Sequence, residues 1–257
     1  MLAPIISEPR FYAFAIPAVI FLGLAKGGFS GVSAAATPLL ALYLPPLEAA
    51  ALLLPLLICQ DAISISVYWR QWSVPNLKVL LPGAVVGIVL GWLLASSVSD
   101  DAIRVLIGLT ALVFIGEVYL HASDPQPCEI TALGGLFWGT LSGFASFASQ
   151  GGGPPFQVYT LPQRMPKLMF VGTATVFFAS VNLMKVVPYM MLAQFSARNL
   201  ATSLVLLPIA VASNFAGIWM VRNVPTVLFY RITYVLLFAL GCALLWQGGR
   251  DLIPRMG

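Results

Sequence analysis

Residues 23–31 read Gly23-Leu24-Ala25-Lys26-Gly27-Gly28-Phe29-Ser30-Gly31, inside an apolar run that extends from 11 to 44 and ends at Pro45-Pro46. Four glycines, a lysine and a serine interrupt that run. Glycine in a helix interior costs about 1 kcal/mol against alanine, so the cluster predicts an unwound backbone. In hydrocarbon, freed N–H and C=O groups persist only where protein buries them or where they line a wet cavity. As one straight helix the run would measure about 50 Å, against a bilayer core of about 30 Å. It therefore either dips into the membrane and returns, or crosses with an unwound centre.

The rest of the chain supports a membrane setting. Of 257 residues, 60% are hydrophobic and 9% charged, with a mean hydropathy of +0.93. Soluble domains carry roughly 25% charged residues. The apolar runs approach 20 residues and are separated by short polar connections, which predicts helices rather than barrel strands of about 10 alternating residues. Spans are expected at 47–69, 77–98 and 102–121, and later at 168–192, 197–221 and 225–247. The segment Trp69-Arg70-Gln71-Trp72 reads as an interfacial anchor. Gly83, Gly87 and Gly91 place a small-residue groove on one face of the third span, where a neighbouring helix can approach closely. The net charge of +4 comes with no basic patch interleaved with aromatics, so nucleic acid is not an expected partner. Cys59, Cys128 and Cys242 form no metal-binding pattern, and His121 stands alone at a span end. No metal or other cofactor is expected.

The motif returns. Gly139, Gly143, Pro154, Tyr159 and Pro162 each follow Gly23, Gly27, Pro38, Tyr43 and Pro46 by 116 residues. Ser73, Asn76 and Leu77 recur 123 residues on as Ser196, Asn199 and Leu200, and Pro82 and Gly91 recur 126 on as Pro208 and Gly217. Five hits at one offset predict a duplicated chain. The expected organisation is a first membrane repeat at 1–121, a linker at 122–129 and a second repeat at 130–257, all α-helical. Each half then has about four helical segments and opens with a glycine-broken one. If the broken segments cross, the halves run parallel; if they are re-entrant, the halves are inverted. Lys and Arg counts do not decide between these. The inverted, re-entrant arrangement is favoured because it sets both breaks at mid-membrane, facing one another.

Matched Gly/Pro-interrupted segments point to a transporter's central site. Half-helix N-termini there would present free N–H groups to an anion. The candidate ligands are Lys26, Gly27, Gly28, Ser30 and Gly31 from the first break, and Ser142, Gly143, Ser149, Gln150, Gly151, Gly152 and Gly153 from the second. Lys185 lies deep in a span, with Asn182 one helical turn before it. A lysine at that depth costs at least ~2.5–3.5 kcal/mol by insertion scales, so it needs a carboxylate, an anionic substrate or a wet cavity. Thr173 either joins the same path or bonds back to its own helix. Asp61 is the candidate partner of Lys185 or Lys26, or a protonatable coupling group.

The breaks at 23–38 and 142–153, with Gly172-Thr173 followed by Asn182 and Lys185, resemble the sulfite exporter TauE/SafE family of bacterial membrane proteins. The resemblance covers nearly the whole chain. It implies a multi-pass protein of the bacterial inner membrane that exports sulfite or an organosulfonate, with the candidate residues around the substrate. Ser33-Ala34-Ala35-Ala36 departs from the denser glycine pattern expected there. A carrier for a small anion is the expected function, with the lipid bilayer as surroundings and a homodimer compatible with it. The competing readings are an anion channel, a membrane scaffold, and an intramembrane enzyme using Lys185. No HExxH or nucleophile–base pair favours the enzyme, and no Walker A lysine loop implies direct use of ATP.

Overall fold

The computed structural model describes residues 5–6, 8–26, 33, 36–40, 43–44, 46–94 and 129–252, with scattered positions between 99 and 116. The described elements are α-helical: α1 (Pro9–Ala25), α2 (Ala36–Leu40), α3 (Pro46–Val67), α4 (Val74–Leu93), α5 (Ala132–Ser149), α6 (Gly153–Thr160), α7 (Lys167–Met191), α8 (Ala197–Asn223) and α9 (Thr226–Leu252), with a 3₁₀ turn at Leu161–Gln163. Four of them, α3, α4, α7 and α8, are long and apolar enough to cross a bilayer. Most of the expected span at 102–121, and all of the linker at 122–129 except Glu129, lie outside the described residues, as do His121 and Cys128.

Polarity is distributed inside out. Leu93, Leu204, Val227 and Trp219 are well exposed on the outer surface, while Gln60, Ser64, Lys185 and Asn214 are fully buried. Lipid solvates the first group, and only protein partners satisfy the second.

Both glycine-broken segments fold back on themselves. The Tyr43 hydroxyl donates to the Glu8 carboxylate beside the start of α1, and its ring packs edge-on to Phe11. In the second segment the Tyr159 hydroxyl donates to the Thr131 carbonyl at 3.0 Å, beside the start of α5. Each returning arm is thus tied near its own beginning. The geometry is that of two helical hairpins, α1–α2 and α5–α6. The two tyrosines are 116 residues apart, the offset read from the sequence.

Other matched features keep the longer offset. Arg70 and Ala193, 123 residues apart, both take left-handed backbone (φ 62° and 53°) just past α3 and α7. Ser73 and Ser196 then cap α4 and α8 by accepting from Asn76 and Asn199 N–H. The two asparagines reach across the molecule in corresponding ways. Asn76 exchanges amide hydrogen bonds with Gln163, at 2.8 and 3.0 Å, and Asn199 donates to Glu48 at 3.0 Å.

Helix directions follow from the same bonds. Asn182 meets Asp61, and Thr173 meets the backbone of Ser73. Residue numbers fall on α7 as they rise on α3, so these helices are antiparallel. By contrast α1 and α8 run parallel: Ile6 N–H bonds Thr202, and Ser213 bonds the Val19 carbonyl.

The groove on α4 receives α5 rather than an undetermined neighbour. A Cβ added at Gly83 would lie 2.3 Å from the Leu136 carbonyl oxygen, and one at Gly87 would lie 2.0 Å from that of Thr140. From the other side, Gly139 and Gly143 face the carbonyls of Leu80 and Ala84 at 2.3 and 2.4 Å. Two glycine stripes therefore interlock, backbone against backbone. The expectation that Gly143 holds substrate is replaced here by a packing role, because no volume remains beside it. Gly87→Val forces α4 and α5 apart and is expected to cost at least ~1–3 kcal/mol. The check is thermal unfolding in detergent, where an unchanged midpoint contradicts the contact.

Candidate functional site

The two hairpin tips meet at a small cavity of about 40 Å³ between α1, α3, α5 and α7. Its wall presents mostly apolar surface, with Leu22, Ala25, Leu57 and Phe178 beside the polar residues Lys26, Ser33, Ser146, Gln150 and Asn182. A single water needs roughly 10–15 Å³ by this measure, so the space suits about three waters or an ion of a few non-hydrogen atoms.

Behind the polar wall stand two charged groups. On one side lies Asp61, on α3. One of its oxygens accepts from the Lys26 ammonium in a buried salt bridge, and the other accepts from Asn182 Nδ2 at 2.6 Å. The Lys26 and Asp61 side chains are 9% and 5% exposed. On the other side lies Lys185, fully buried. Its ammonium donates to Ser146 Oγ at 3.0 Å, to the Ser146 carbonyl at 3.2 Å and to Gln150 Oε1. Among the two pairings left open by the sequence, Asp61 belongs with Lys26, and the bonds to Lys185 go to uncharged acceptors. Asn182 and Lys185 do lie on one face of α7, yet each serves a different cluster. Lys185 does not itself touch the cavity; Ser146 and Gln150 stand between.

The helix ends at the tips have the polarity opposite to the expectation. Lys26 is the C-cap of α1, and its N–H bonds the Gly23 carbonyl. Lys185 bonds a carbonyl in the last turn of α5. Both lysines thus sit at helix C-termini, where the macrodipole favours a cation. Of the two return helices, α6 has an N-terminus poor in donors, and the start of α2 adjoins residues outside those described. Pro154 and Pro155 carry no N–H, and Phe156 gives its own to Gly152 at 3.3 Å. Among the described residues, lysine side chains bring the positive charge to the cavity.

Gln150 closes α5 with a left-handed backbone (φ 57°). Its amide bridges two elements, donating to the Ala50 carbonyl at 3.2 Å while accepting from Lys185. The next residue, Gly151, returns its N–H to the Ala145 carbonyl at 3.1 Å, and Ser142 Oγ donates to the Gly152 carbonyl at 2.7 Å. Ser142, Gly151 and Gly152 therefore seal the break, and Gly153 opens α6. Thr173 takes the local option: its hydroxyl bonds the Met169 carbonyl at 2.6 Å and accepts from Ser73 N–H at 2.9 Å, away from the cavity wall. Gly27, Gly28, Ser30 and Gly31 lie outside the described residues, and the Ser149 side chain is likewise not described.

Ser146 is the site residue that the sequence reading missed. It follows Ser30 by 116 residues, so the repeat itself carried the signal. A polar seam between α3 and α8 was also missed. Gln60 donates to the Ala210 carbonyl at 2.9 Å, Asn214 to the Gln60 carbonyl at 3.1 Å, and Ser64 to Asn214 at 3.1 Å. Gln60, Ser64 and Tyr68 share one helix face at four-residue spacing. The Tyr68 hydroxyl, just beyond the end of α3, is buried with no hydrogen-bond partner among the described residues. Burial pushes its pKa above the usual tyrosine value, and the Arg222 guanidinium opposes that rise.

A family model described as Sulfite exporter TauE/SafE matches residues 15–244. Two relatives are each named a probable membrane transporter protein, MamO. That of Magnetospirillum gryphiswaldense is 36% identical over 62 residues, 24% of this chain and 10% of the relative. That of Paramagnetospirillum magneticum is 31% identical over 62 residues, 24% of this chain and 9% of the relative. The match thus spans about a tenth of either relative. No solved structure matches.

Truncating one partner of a buried ion pair strands the other charge, at ~3–5 kcal/mol. Asp61→Ala is expected to lower stability by that order, and Lys26→Met in the same chain should recover most of the loss. Thermal unfolding of the single and double variants tests the pairing; independent, additive losses would contradict it.

Proposed function

Since the chain belongs to the sulfite exporter TauE/SafE family, and so is a multi-pass membrane transporter rather than an enzyme, we propose that it is a secondary carrier exporting a small sulfur-containing oxyanion, sulfite or an organosulfonate. The observation that carries the reading is the cavity between the hairpin tips, walled by Lys26, Ser146, Gln150 and Asn182. Lys26 and Asn182 face the solute directly. Lys185 acts through Ser146 and Gln150, holding them in place and adding charge from behind. The apolar part of the wall, from Leu22, Leu57 and Phe178, suits a short organic tail.

The antiparallel run of α3 and α7, at corresponding places in the chain, supports inverted halves at 1–121 and 130–257 joined by 122–129. Alternating access then consists of rocking one half against the other around a fixed site. No ATP is required: an interior-negative potential assists expulsion of an anion by about 2.3 kcal/mol per charge per 100 mV. On this reading the membrane is the bacterial inner membrane.

Uptake of labelled sulfite into proteoliposomes is expected to saturate with concentration and to fall at least about tenfold in Lys185→Ala, the scale of losing one charge-assisted contact. Wild-type flux in a folded Lys185→Ala protein would refute the assigned site.

A further inference from the structure

The valence of the solute can be read from the charges around the cavity. Among the described residues, those within hydrogen-bonding reach of the cavity wall include three formal charges: the ammoniums of Lys26 and Lys185 and the carboxylate of Asp61. Asp61 spends both oxygens, one on Lys26 and one on Asn182. Lys185 bonds Ser146 and Gln150, which are neutral. The formal balance is one positive charge. The C-termini of α1 and α5 converge on the same place, and their partial negative charges draw on that surplus rather than adding to it.

We infer that the site selects a monovalent oxyanion over a divalent one, and that Asp61 sets this selection by cancelling one of the two lysines. The inference deepens the carrier reading and rests on it. A monoanion neutralises the cluster, so a buried uncompensated charge is removed when the solute binds. A dianion instead leaves the cluster one unit negative within apolar walls of Leu22, Leu57 and Phe178, and at low dielectric that excess is costly. Asn182 and Lys26 then turn their donors toward the solute while Asp61 holds both in place. Asp61 is a specificity-determining residue that acts through its two neighbours.

Two probes of fixed charge at neutral pH make the test: methanesulfonate, a monoanion, and sulfate, a dianion. Binding of each to the purified full-length protein is measured by calorimetry, in wild type, Asp61→Asn, and the double variant Lys26→Met/Asp61→Asn. Wild type is expected to bind methanesulfonate at least about tenfold more tightly than sulfate. Asp61→Asn, with one more positive charge, should move that ratio about tenfold or more toward sulfate. The double variant restores a single positive charge and should restore the preference for methanesulfonate. It also removes the stranded lysine, so it reports even if Asp61→Asn does not fold.

Equal wild-type affinity for the two anions overturns the inference while leaving an anion carrier intact. An unchanged ratio in Asp61→Asn, or a sulfate preference in the double variant, overturns it as well. Binding of neither anion to wild type overturns the carrier reading and this inference with it.

Discussion

A helix that stops inside an apolar protein interior leaves peptide groups without partners in a medium that offers none, and the structure is arranged around meeting that demand twice. At the first stop, Lys26 caps α1 and is neutralised by Asp61. At the second, Gln150 turns the backbone, Ser142 takes up the Gly152 carbonyl, and Lys185 reaches in from α7 to the Ser146 carbonyl. Each unmet carbonyl or amide in hydrocarbon costs several kcal/mol. Once cations occupy helix C-termini, a polar pocket follows, because their remaining donors and partners must also be kept from lipid.

Close backbone contact makes this arrangement rigid where it needs to be. The interlocked glycines of α4 and α5 fix one hairpin against a full-length span, and the seam of Gln60, Ser64 and Asn214 fixes α3 against α8. On the carrier reading, those two contacts hold firm while the site between them opens alternately to each side.

Much of the helical layout was legible in the sequence, and for physical reasons. Apolar runs of about 20 residues have few other uses. The spans at 168–192 and 197–221 agree with α7 and α8 to within two residues. The small-residue groove and the cost of burying Lys185 were equally plain. Partner choice was not. Pairing of Asp61 with Lys26 depends on how α1 and α3 lie side by side, and spacing along one chain cannot encode a distance between two helices. The same limit hid the role of Gly143, whose missing side chain admits a neighbour rather than a solute, while at Thr173 the structure takes one of the two options the sequence left open, a bond to its own helix. The direction of the helix ends misled for a subtler reason. Glycine marks where a backbone unwinds but not which of the two ends faces the centre, and here two prolines strip the N-terminal end of donors.

The exchange of partners between the two broken segments also bears on how the chain is made. Helix α1 lies chiefly against α8, with Ile6 bonded to a residue 196 positions later. During synthesis the first hairpin, carrying its lysine, is complete long before the surface that receives it leaves the ribosome. The insertion machinery must therefore shelter a half-finished protein until the closing helices arrive, and translation speed through the second half becomes a determinant of yield.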